Sequence, residues 1–326
     1  MQQEKFIKEC LKLARSGAGY VSPNPLVGAV LVNNKNEIVA RGTHLKYGEA
    51  HAEVNCINDF LSRGGGDFSN LTLYVNLEPC SHHGKTPPCV DLIIQKKISK
   101  VVIAMLDPNP KVMGKGVKAL LESGIEVVVG VLEDEAKDLN KVFIKNITTQ
   151  KPYVAIKTAT TLDGKIATLN GSSKWITSEK SRNYVKKLRG EFDALLSGSG
   201  TVLADNPTFK PAKRVIILDR EGKTTPSEDW VLIKDFDNFD KLLKDLYNQG
   251  VYSLFVEAGS GLNSALIEAN EVDFLYQFIA PKIAGKGLGF CDGIEISDIN
   301  FAQKLKNIKI KKIDPDILLT GEFVYT

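Results

Sequence analysis

The hydrophobic and polar positions of the chain follow two periods, one typical of helices and one typical of strands. Near the N-terminus, Phe6, Cys10 and Ala14 recur at helical spacing and predict an amphipathic helix. Two short apolar runs follow, residues 28–33 and 37–42, joined by a polar turn rich in asparagine. Such a pair predicts a β-hairpin.

Beyond the hairpin, helical and strand patterns alternate along the first half of the chain. Alternation of this kind predicts a layered α/β domain. The predicted helices cover residues 50–61, 89–97, 115–123 and 133–147, and the predicted strands cover residues 71–77, 101–105 and 125–129.

A polar segment ending in proline, residues 148–152, separates this pattern from a second one. We therefore expect one domain over residues 1–149 and another over residues 150–326. The second domain is predicted to have strands at 153–159, 194–197, 215–219, 231–234, 253–257, 272–280, 304–313 and 317–325, and helices at 178–188, 239–248 and 262–269.

Candidate metal chemistry is concentrated in the first domain, in His51-Ala52-Glu53 and in PCSHHGKTPPC from Pro79 to Cys89. A catalytic zinc takes three protein ligands and leaves one position for water. His51, Cys80 and Cys89 supply three suitable ligands. Glu53 is then free to move protons, which is the H-x-E…P-C signature of zinc deaminases. The eight residues between the two cysteines depart from the usual two.

Two simpler interpretations stay open at this point. Cysteine and histidine are often only buried side chains, and an isolated H-x-E motif is weak. A structural zinc would need a fourth nitrogen or sulfur ligand, which His82 or His83 can offer.

The eleven-residue block decides the family. Together with His-Ala-Glu it resembles the bifunctional deaminase/reductase of riboflavin biosynthesis, and the resemblance continues almost to the C-terminus. It implies a cytidine-deaminase-like three-layer domain followed by a dihydrofolate-reductase-like α/β domain, with Zn²⁺ and NADPH as cofactors. The implied reactions are hydrolytic deamination of a phosphorylated diaminopyrimidinone, with Glu53 as proton carrier, and reduction of its ribosyl group.

The second domain has no G-x-G-x-x-G motif, but Gly259-Ser260-Gly261 lies between a predicted strand and a predicted helix. Glycines there let backbone amides approach a phosphate, although an ordinary turn has the same composition. The family resemblance rests on KTATTLDGKIA, SKWITS, TVLADNP and VEAGSG. It implies NADPH contacts at Ala159, Trp175, Thr201, Asp205, Gly259, Ser260 and Gly261, substrate contacts at Ser173, Arg189 and Glu257, and a catalytic pair, Lys157 and Glu257.

In the first domain the resemblance implies further substrate contacts. For Asn24, Asp107 and Asn109 the alternative is a turn-forming role beside proline. For His44, taken alone, the alternative is a surface histidine. The chain departs from the family after Asn206, where an arginine is usual, and either Lys210 or Arg214 can replace it. The implied substrate contacts are Asn24, His44, Lys85, Asp107 and Asn109.

The composition of the chain limits the classes of partner that we expect it to bind. A net charge of +3 is too small to indicate nucleic acid or an anionic membrane, and no apolar run is long enough to span a bilayer. Five cysteines, two of them reserved for metal, indicate a reducing compartment, the cytoplasm. We expect small phosphorylated pyrimidines as substrates and a homo-oligomer, dimer or tetramer. A nucleoside, nucleotide or tRNA deaminase and a non-enzymatic zinc protein are the competing classes.

Overall fold

The computed structural model describes residues 2–83, 87–225 and 227–325, and it divides into two compact units, residues 1–150 and 151–326. Each unit has its own apolar core and its own β-sheet. The predicted α/β class is therefore confirmed in both halves. Lys85 lies outside the described residues.

The first unit begins with a helix, continues with a hairpin and then alternates helices and strands, as the polarity pattern predicts. Its elements are α1 (Gln2–Ala14), β1 (Gly28–Val32), β2 (Ile38–Thr43), α2 (Ala52–Ser62), β3 (Thr72–Leu77), α3 (Cys89–Gln95), β4 (Lys100–Met105), α4 (Lys115–Glu122), β5 (Glu126–Val129), α5 (Glu133–Leu139) and α6 (Lys141–Thr149).

The sheet of the first unit has the order β2-β1-β3-β4-β5. β1 is antiparallel to both of its neighbours, whereas β3, β4 and β5 are parallel to one another. The central strands are buried on both faces and carry Leu31, Leu73 and Ile103, each 0% exposed. Because β3 and β4 are parallel, both end at the same edge of the sheet, and the loops that follow them meet there.

Two predicted boundaries in this unit were wrong. The helix predicted over residues 50–61 begins at Ala52, and His51 is its extended N-cap residue. The single helix predicted over residues 133–147 is two helices, α5 and α6, separated at Asn140, whose φ of −104° and ψ of 17° leave the helical region. The helical polarity pattern runs unbroken through Asn140, so polarity alone does not mark this break.

The second unit repeats the strand–helix alternation and ends in a long hairpin. Its elements are β6 (Tyr153–Thr161), β7 (Lys165–Thr168), α7 (Glu179–Glu191), β8 (Ala194–Gly198), α8 (Ser199–Asp205), β9 (Val215–Leu218), β10 (Trp230–Ile233), α9 (Phe239–Asn248), β11 (Ser253–Val256), α10 (Ser260–Glu268), β12 (Phe274–Ala280), β13 (Gly287–Gly289), β14 (Lys304–Ile313) and β15 (Asp316–Val324).

Its main sheet has the order β10-β9-β8-β11-β6-β12-β15-β14. The strands from β10 to β12 in this order are parallel, β15 is antiparallel to β12, and β14 is antiparallel to β15. The parallel strands share one carboxyl edge, which is where open α/β sheets bind ligands. Polarity did not predict α8, which contains Gly200, or the short pair β7 and β13.

Within the described residues, no helix is long and apolar enough to cross a membrane.

Candidate active sites

The three predicted zinc ligands lie together. Nδ1 of His51 is 3.5 Å from Sγ of Cys80 and 3.3 Å from Sγ of Cys89, and all three ligand atoms lie within 4.8 Å of one another. Tetrahedral zinc with ordinary Zn–S and Zn–N bonds requires S···N separations of about 3.6 Å. The donor set therefore fits a zinc ion without rearrangement.

Local structure explains this convergence. His51 is the N-cap residue of α2, and Cys89 is the first residue of α3. Cys80 follows β3 by three residues and is held by the backbone of the next ligand, since the Cys89 N–H contacts its sulfur at 3.4 Å. Val90 N–H donates to the Cys80 carbonyl at 3.2 Å. Two helix N-termini thus face the cluster, and their dipoles favour thiolate.

The contact between the two thiols moves their pKa values in opposite directions. The hydrogen bond with Cys89 lowers the pKa of Cys80 to about 4, and the same contact together with burial raises the pKa of the Cys89 thiol. The hydrogen bond with Cys80 raises the pKa of His51. Such coupling is the behaviour of ligands close enough to bind one cation.

Glu53 lies beside this cluster and is 3% exposed. Burial, followed by the charge of Cys80, raises the pKa of Glu53 to about 7. A bound metal ion opposes this rise through its positive charge. Glu53 is not among the clustered ligand atoms, so the carboxylate is available for proton transfer.

A cavity of about 340 Å³ adjoins the cluster and is lined by His51, Glu53 and Cys80. The predicted substrate residues Asn24 and His44 line it too, and the Asn24 amide donates to Nε2 of His44 at 3.1 Å. Nδ1 of His44 contacts the Ala50 carbonyl at 3.0 Å, and burial lowers the pKa of His44. His44 is therefore a buried neutral residue that orients Asn24, and the surface interpretation is wrong.

Asp107 and Asn109 also line the cavity, in the loop after β4. The side chain of Asp107 accepts from the Asn109 N–H at 2.8 Å, which is the turn chemistry considered as an alternative. Burial raises the pKa of Asp107. Asp107 and Asn109 therefore form a turn and also line the cavity.

Glu78 organises this loop, and the sequence analysis missed it. Its carboxylate is 4% exposed and accepts backbone N–H groups from Asp107 and Gly114 at 3.0 Å, Gly116 at 2.9 Å and Val117 at 3.2 Å. It therefore fixes the loop and caps α4. The only signal in the sequence is its position directly before Pro79 and Cys80.

The sequence offers His82 or His83 as a fourth metal ligand. His82 lines the cavity, yet among the described residues the clustered ligand atoms belong to His51, Cys80 and Cys89 alone. A three-ligand set leaves the fourth position that catalytic zinc keeps for water.

The second unit brings Lys157, Arg189 and Glu257 together at the carboxyl edge of its sheet. The Arg189 guanidinium binds both carboxylate oxygens of Glu257, at 2.5 and 3.0 Å, and Lys157 Nζ lies 3.5 Å from Oε2. Burial alone would raise the pKa of Glu257, but Lys157 and Arg189 outweigh it and hold the pKa below its ordinary value. Sequence reasoning paired Lys157 with Glu257 and missed that Arg189 is the stronger partner.

The predicted cofactor residues lie at the same edge, where α8 follows β8 and α10 follows β11. A Cβ built at Gly259 would lie 3.7 Å from Oγ1 of Thr201, so the two turns are adjacent. A Cβ at Gly200 or Gly261 would meet no atom of the described residues within 4 Å. Open glycine turns at helix N-termini suit the phosphates of a dinucleotide.

Ser173 and Asp205 contact each other, although they were assigned to substrate and cofactor respectively. Oγ of Ser173 lies 3.0 Å from Oδ1 of Asp205. Trp175 is 63% exposed, so its indole is not part of the core, and the Arg182 guanidinium lies 4.5 Å from its ring centroid. Ala159 lies in β6, beyond Lys157 toward the carboxyl end.

The two candidates for the missing arginine differ in position. Arg214 precedes the amino end of β9 and donates to Gln249. Lys210 is exposed, and its carbonyl accepts from Nη1 of Arg189 at 3.1 Å. Lys210 is thus the candidate that lies beside the charged cluster.

Two family models match the chain in succession. Residues 1–105 match the cytidine and deoxycytidylate deaminase zinc-binding region, and residues 152–319 match the RibD C-terminal domain.

Similarity to individual proteins extends over nearly the whole chain. The riboflavin biosynthesis protein RibD of Aquifex aeolicus is 40% identical over 97% of both chains, and that of Escherichia coli is 35% identical over 98% of this chain and 99% of its own. A crystal structure from Thermotoga maritima, described as a diaminohydroxyphosphoribosylaminopyrimidine deaminase/5-amino-6-(5-phosphoribosylamino)uracil reductase, is 37% identical, covers 99% of each chain and has a TM-score of 0.86. RibD of Acinetobacter baumannii is 31% identical, covers 99% of each chain and has a TM-score of 0.87.

These similarities agree with a three-ligand metal cluster in one unit and a charged cluster at the carboxyl edge of an α/β sheet in the other. The chain belongs to the RibD family of bifunctional riboflavin biosynthesis enzymes, which combine a zinc-dependent deaminase with an NADPH-dependent reductase.

Proposed function

We propose that residues 1–149 hydrolytically deaminate 2,5-diamino-6-ribosylamino-4(3H)-pyrimidinone 5′-phosphate and that residues 150–326 reduce the product, 5-amino-6-(5-phosphoribosylamino)uracil, to its ribityl form. The observation that carries this proposal is the cluster of His51, Cys80 and Cys89 beside buried Glu53, in a cavity of about 340 Å³. The reactions are those named for the Thermotoga maritima relative.

In the deamination, His51, Cys80 and Cys89 hold the zinc ion. When bound, zinc acts as a Lewis acid and lowers the pKa of a water molecule. The Glu53 carboxylate accepts a proton from the attacking water and delivers it to the amino nitrogen, which leaves as ammonia. Burial raises the pKa of this carboxyl group above its ordinary value, which favours a proton carrier that works in both directions.

Substrate binding in this half is assigned to Asn24, His44, Asp107 and Asn109, which line the cavity. His44 acts through Asn24, because both of its ring nitrogens already contact protein atoms. Lys85 is proposed as a phosphate contact on the resemblance of the Pro79–Cys89 block, since a lysine forms charge-assisted hydrogen bonds with phosphate.

In the reduction, C1′ of the ribosyl group accepts the hydride that NADPH, when bound, would supply. The C1′–O4′ bond breaks, and the Lys157 ammonium gives a proton to O4′, so that the sugar gains two hydrogens and opens to a ribityl chain. Glu257, held ionised by Arg189, orients Lys157. Ser173 and Arg189 contact the substrate.

The cofactor is assigned to the two adjacent glycine turns and the segments beside them. Support comes from the open space at Gly200 and Gly261 and from the exposed indole of Trp175. The assigned contacts are Ala159, Trp175, Thr201, Asp205, Gly259, Ser260 and Gly261.

We further propose a homo-oligomer, dimer or tetramer, in the cytoplasm. Support for association comes from β14 at the end of the sheet, where Ile308 and Ile310 are 55% and 71% exposed. Support for a reducing compartment comes from the five cysteines, which are all free thiols in the described residues. Light scattering measures the first property, and fractionation of cells measures the second.

The decisive experiment is incubation of the full chain with the phosphorylated diaminopyrimidinone, with and without NADPH. We expect ammonia release in both cases and NADPH oxidation once deaminated product accumulates. Ammonia release from cytidine or adenosine substrates alone would favour a nucleoside deaminase, and zinc binding without any turnover would favour a structural zinc protein.

The assignment of each reaction to one half is tested with a fragment of residues 1–149. It should release ammonia and leave NADPH unoxidised when given the deaminated substrate. A folded fragment without deaminase activity would contradict the assignment.

A further inference from the structure

The segment that carries Asn24 is held by a side chain far away in the sequence. Asn140 is 2% exposed, and its Oδ1 accepts from the Leu26 N–H at 2.8 Å while its Nδ2 donates to the Leu26 carbonyl at 3.1 Å. One amide therefore satisfies both backbone groups of Leu26. The two residues are 114 positions apart, so the contact exists only in the folded chain.

A second buried amide completes this clamp. Asn76, in β3, is 0% exposed, donates to the same Leu26 carbonyl at 2.9 Å and accepts from the Gly28 N–H at 2.8 Å. Residues 25–27 precede β1 and form no regular secondary structure. Their backbone groups need partners, and Asn76 and Asn140 provide them from two distant parts of the chain.

Asn140 also sets the position of a second wall of the cavity. It separates α5 from α6, and α6 then places Phe143 and Ile147 along the cavity that Asn24 lines. The break in the helix and the clamp on Leu26 thus come from the same residue. Asn140 itself does not line the cavity.

We propose that Asn140 is a positioning residue of the deaminase site, which holds Asn24 and the α6 wall in place for the pyrimidine without touching it. The inference rests on the proposed function in one respect, the role of Asn24 as a substrate contact. This role places part of the deaminase site outside residues 1–105, the range that matches the family model of the deaminase zinc-binding region.

A positioning role and a merely structural one differ in what a substitution changes. If Asn140 only stabilises the fold, its loss lowers the melting temperature and leaves KM unchanged below that temperature. If it positions Asn24, KM for the pyrimidine rises while zinc content stays the same. Zinc content reports on the fold of the first unit, and the reductase activity of the same chain controls for the amount of intact protein.

The test is Asn140→Ala in the full chain, with Asn70→Ala as matched control, because Asn70 is exposed and does not line the cavity. We expect KM for the phosphorylated diaminopyrimidinone to rise about tenfold, the equivalent of one lost hydrogen bond, with kcat changed less than about twofold. Zinc content, reductase kcat/KM and the control should stay at wild-type values. An unchanged KM in Asn140→Ala would overturn the proposal.

Should Asn140→Ala not fold, Asn140→Asp answers the same question. It keeps the acceptor for the Leu26 N–H, loses the donor to the Leu26 carbonyl, and is judged by the same KM and zinc measurements.

A double-mutant cycle with Asn24→Ala identifies the route. If Asn140 acts through Asn24, Asn140→Ala adds little to KM in the Asn24→Ala background. Full additivity would overturn the inferred route. If Asn24→Ala alone leaves KM unchanged, the proposed substrate contact fails, and the Asn140→Ala result then decides whether Asn140 positions the site through the α6 wall.

Discussion

Two buried carboxylates, Glu53 in the first unit and Glu257 in the second, have opposite electrostatic behaviour. They are 3% and 8% exposed, so burial disfavours the charged form of both. Burial, followed by the negative charge of Cys80, raises the pKa of Glu53 to about 7. The pKa of Glu257 falls below its ordinary value, because Lys157 and Arg189 contact it. Because both side chains are buried, the two cations beside Glu257 account for the opposite direction of its shift.

This difference separates the two proposed roles. A carboxyl group that titrates near neutral pH can both accept and donate a proton, which suits Glu53 to deamination. A carboxylate held ionised by an arginine orients its neighbours, which leaves Lys157 as the proton donor in the reduction. Removing one member at a time from each cluster tests the comparison.

The largest effect is expected from Cys89→Ala. Loss of one of three ligands should remove zinc from the chain and abolish deamination, while the reductase stays active because its cluster lies in the other unit. Elemental analysis and ammonia release measure the two consequences. Full retention of zinc would mean that Cys89 is not a ligand.

Glu53→Gln should retain zinc and lower deamination by about 10²–10⁴-fold, since it removes only the proton carrier. Metal content and initial rates of ammonia release check this prediction together. Wild-type turnover would reject proton transfer by Glu53, whereas loss of metal would indicate that Glu53 supports coordination.

Lys157→Ala and Glu257→Gln should each lower NADPH-dependent reduction by about 10²-fold, with deamination unchanged. The competing interpretation is a structural ion pair that has no effect on the rate of reduction. Stopped-flow measurement of NADPH oxidation distinguishes them. Near-normal turnover in both variants would favour the structural pair.

Glu78→Gln should destabilise the first unit by about 1–3 kcal/mol, because the amide replaces an acceptor with a donor opposite buried N–H groups. Chemical denaturation measures the change. Glu122→Gln is the matched control, since Glu122 lies on α4 and its side chain is 66% exposed. Equal stability of the two variants would contradict the role assigned to Glu78.

The smallest effect concerns pH. The native pKa of Glu257 is lower than its ordinary value of 4.5, so ionisation of Glu257 stabilises the folded chain above pH 4.5, and that contribution is lost as pH falls through the native pKa. Glu257→Gln should therefore make the unfolding free energy of the second unit less dependent on pH below 4.5. An identical acid profile in the variant and the wild type would show that Glu257 is not coupled to folding.

The cluster of His51, Cys80 and Cys89 was predictable because these residues belong to two short sequence motifs that adjoin predicted helices. Helix patterns begin at His51 and Cys89, so the two ligands lie at helix N-termini in any fold that keeps those helices. The charged cluster was less predictable. Lys157, Arg189 and Glu257 come from three separate elements, and the sequence alone did not reveal that Arg189 binds Glu257 more closely than Lys157 does.

By itself, the sequence determined the class of each half, the order of most elements and the family, and it singled out the three residues that cluster, because polarity periods and motifs are local properties of the chain. Only the tertiary structure decided the break at Asn140, the four backbone contacts of Glu78 and the partner of Arg189. Each depends on atoms tens of residues apart, and such contacts form only after the strands have paired and the loops at their ends have met. Buried polar groups must find partners wherever the fold brings them, and residue spacing does not encode that outcome.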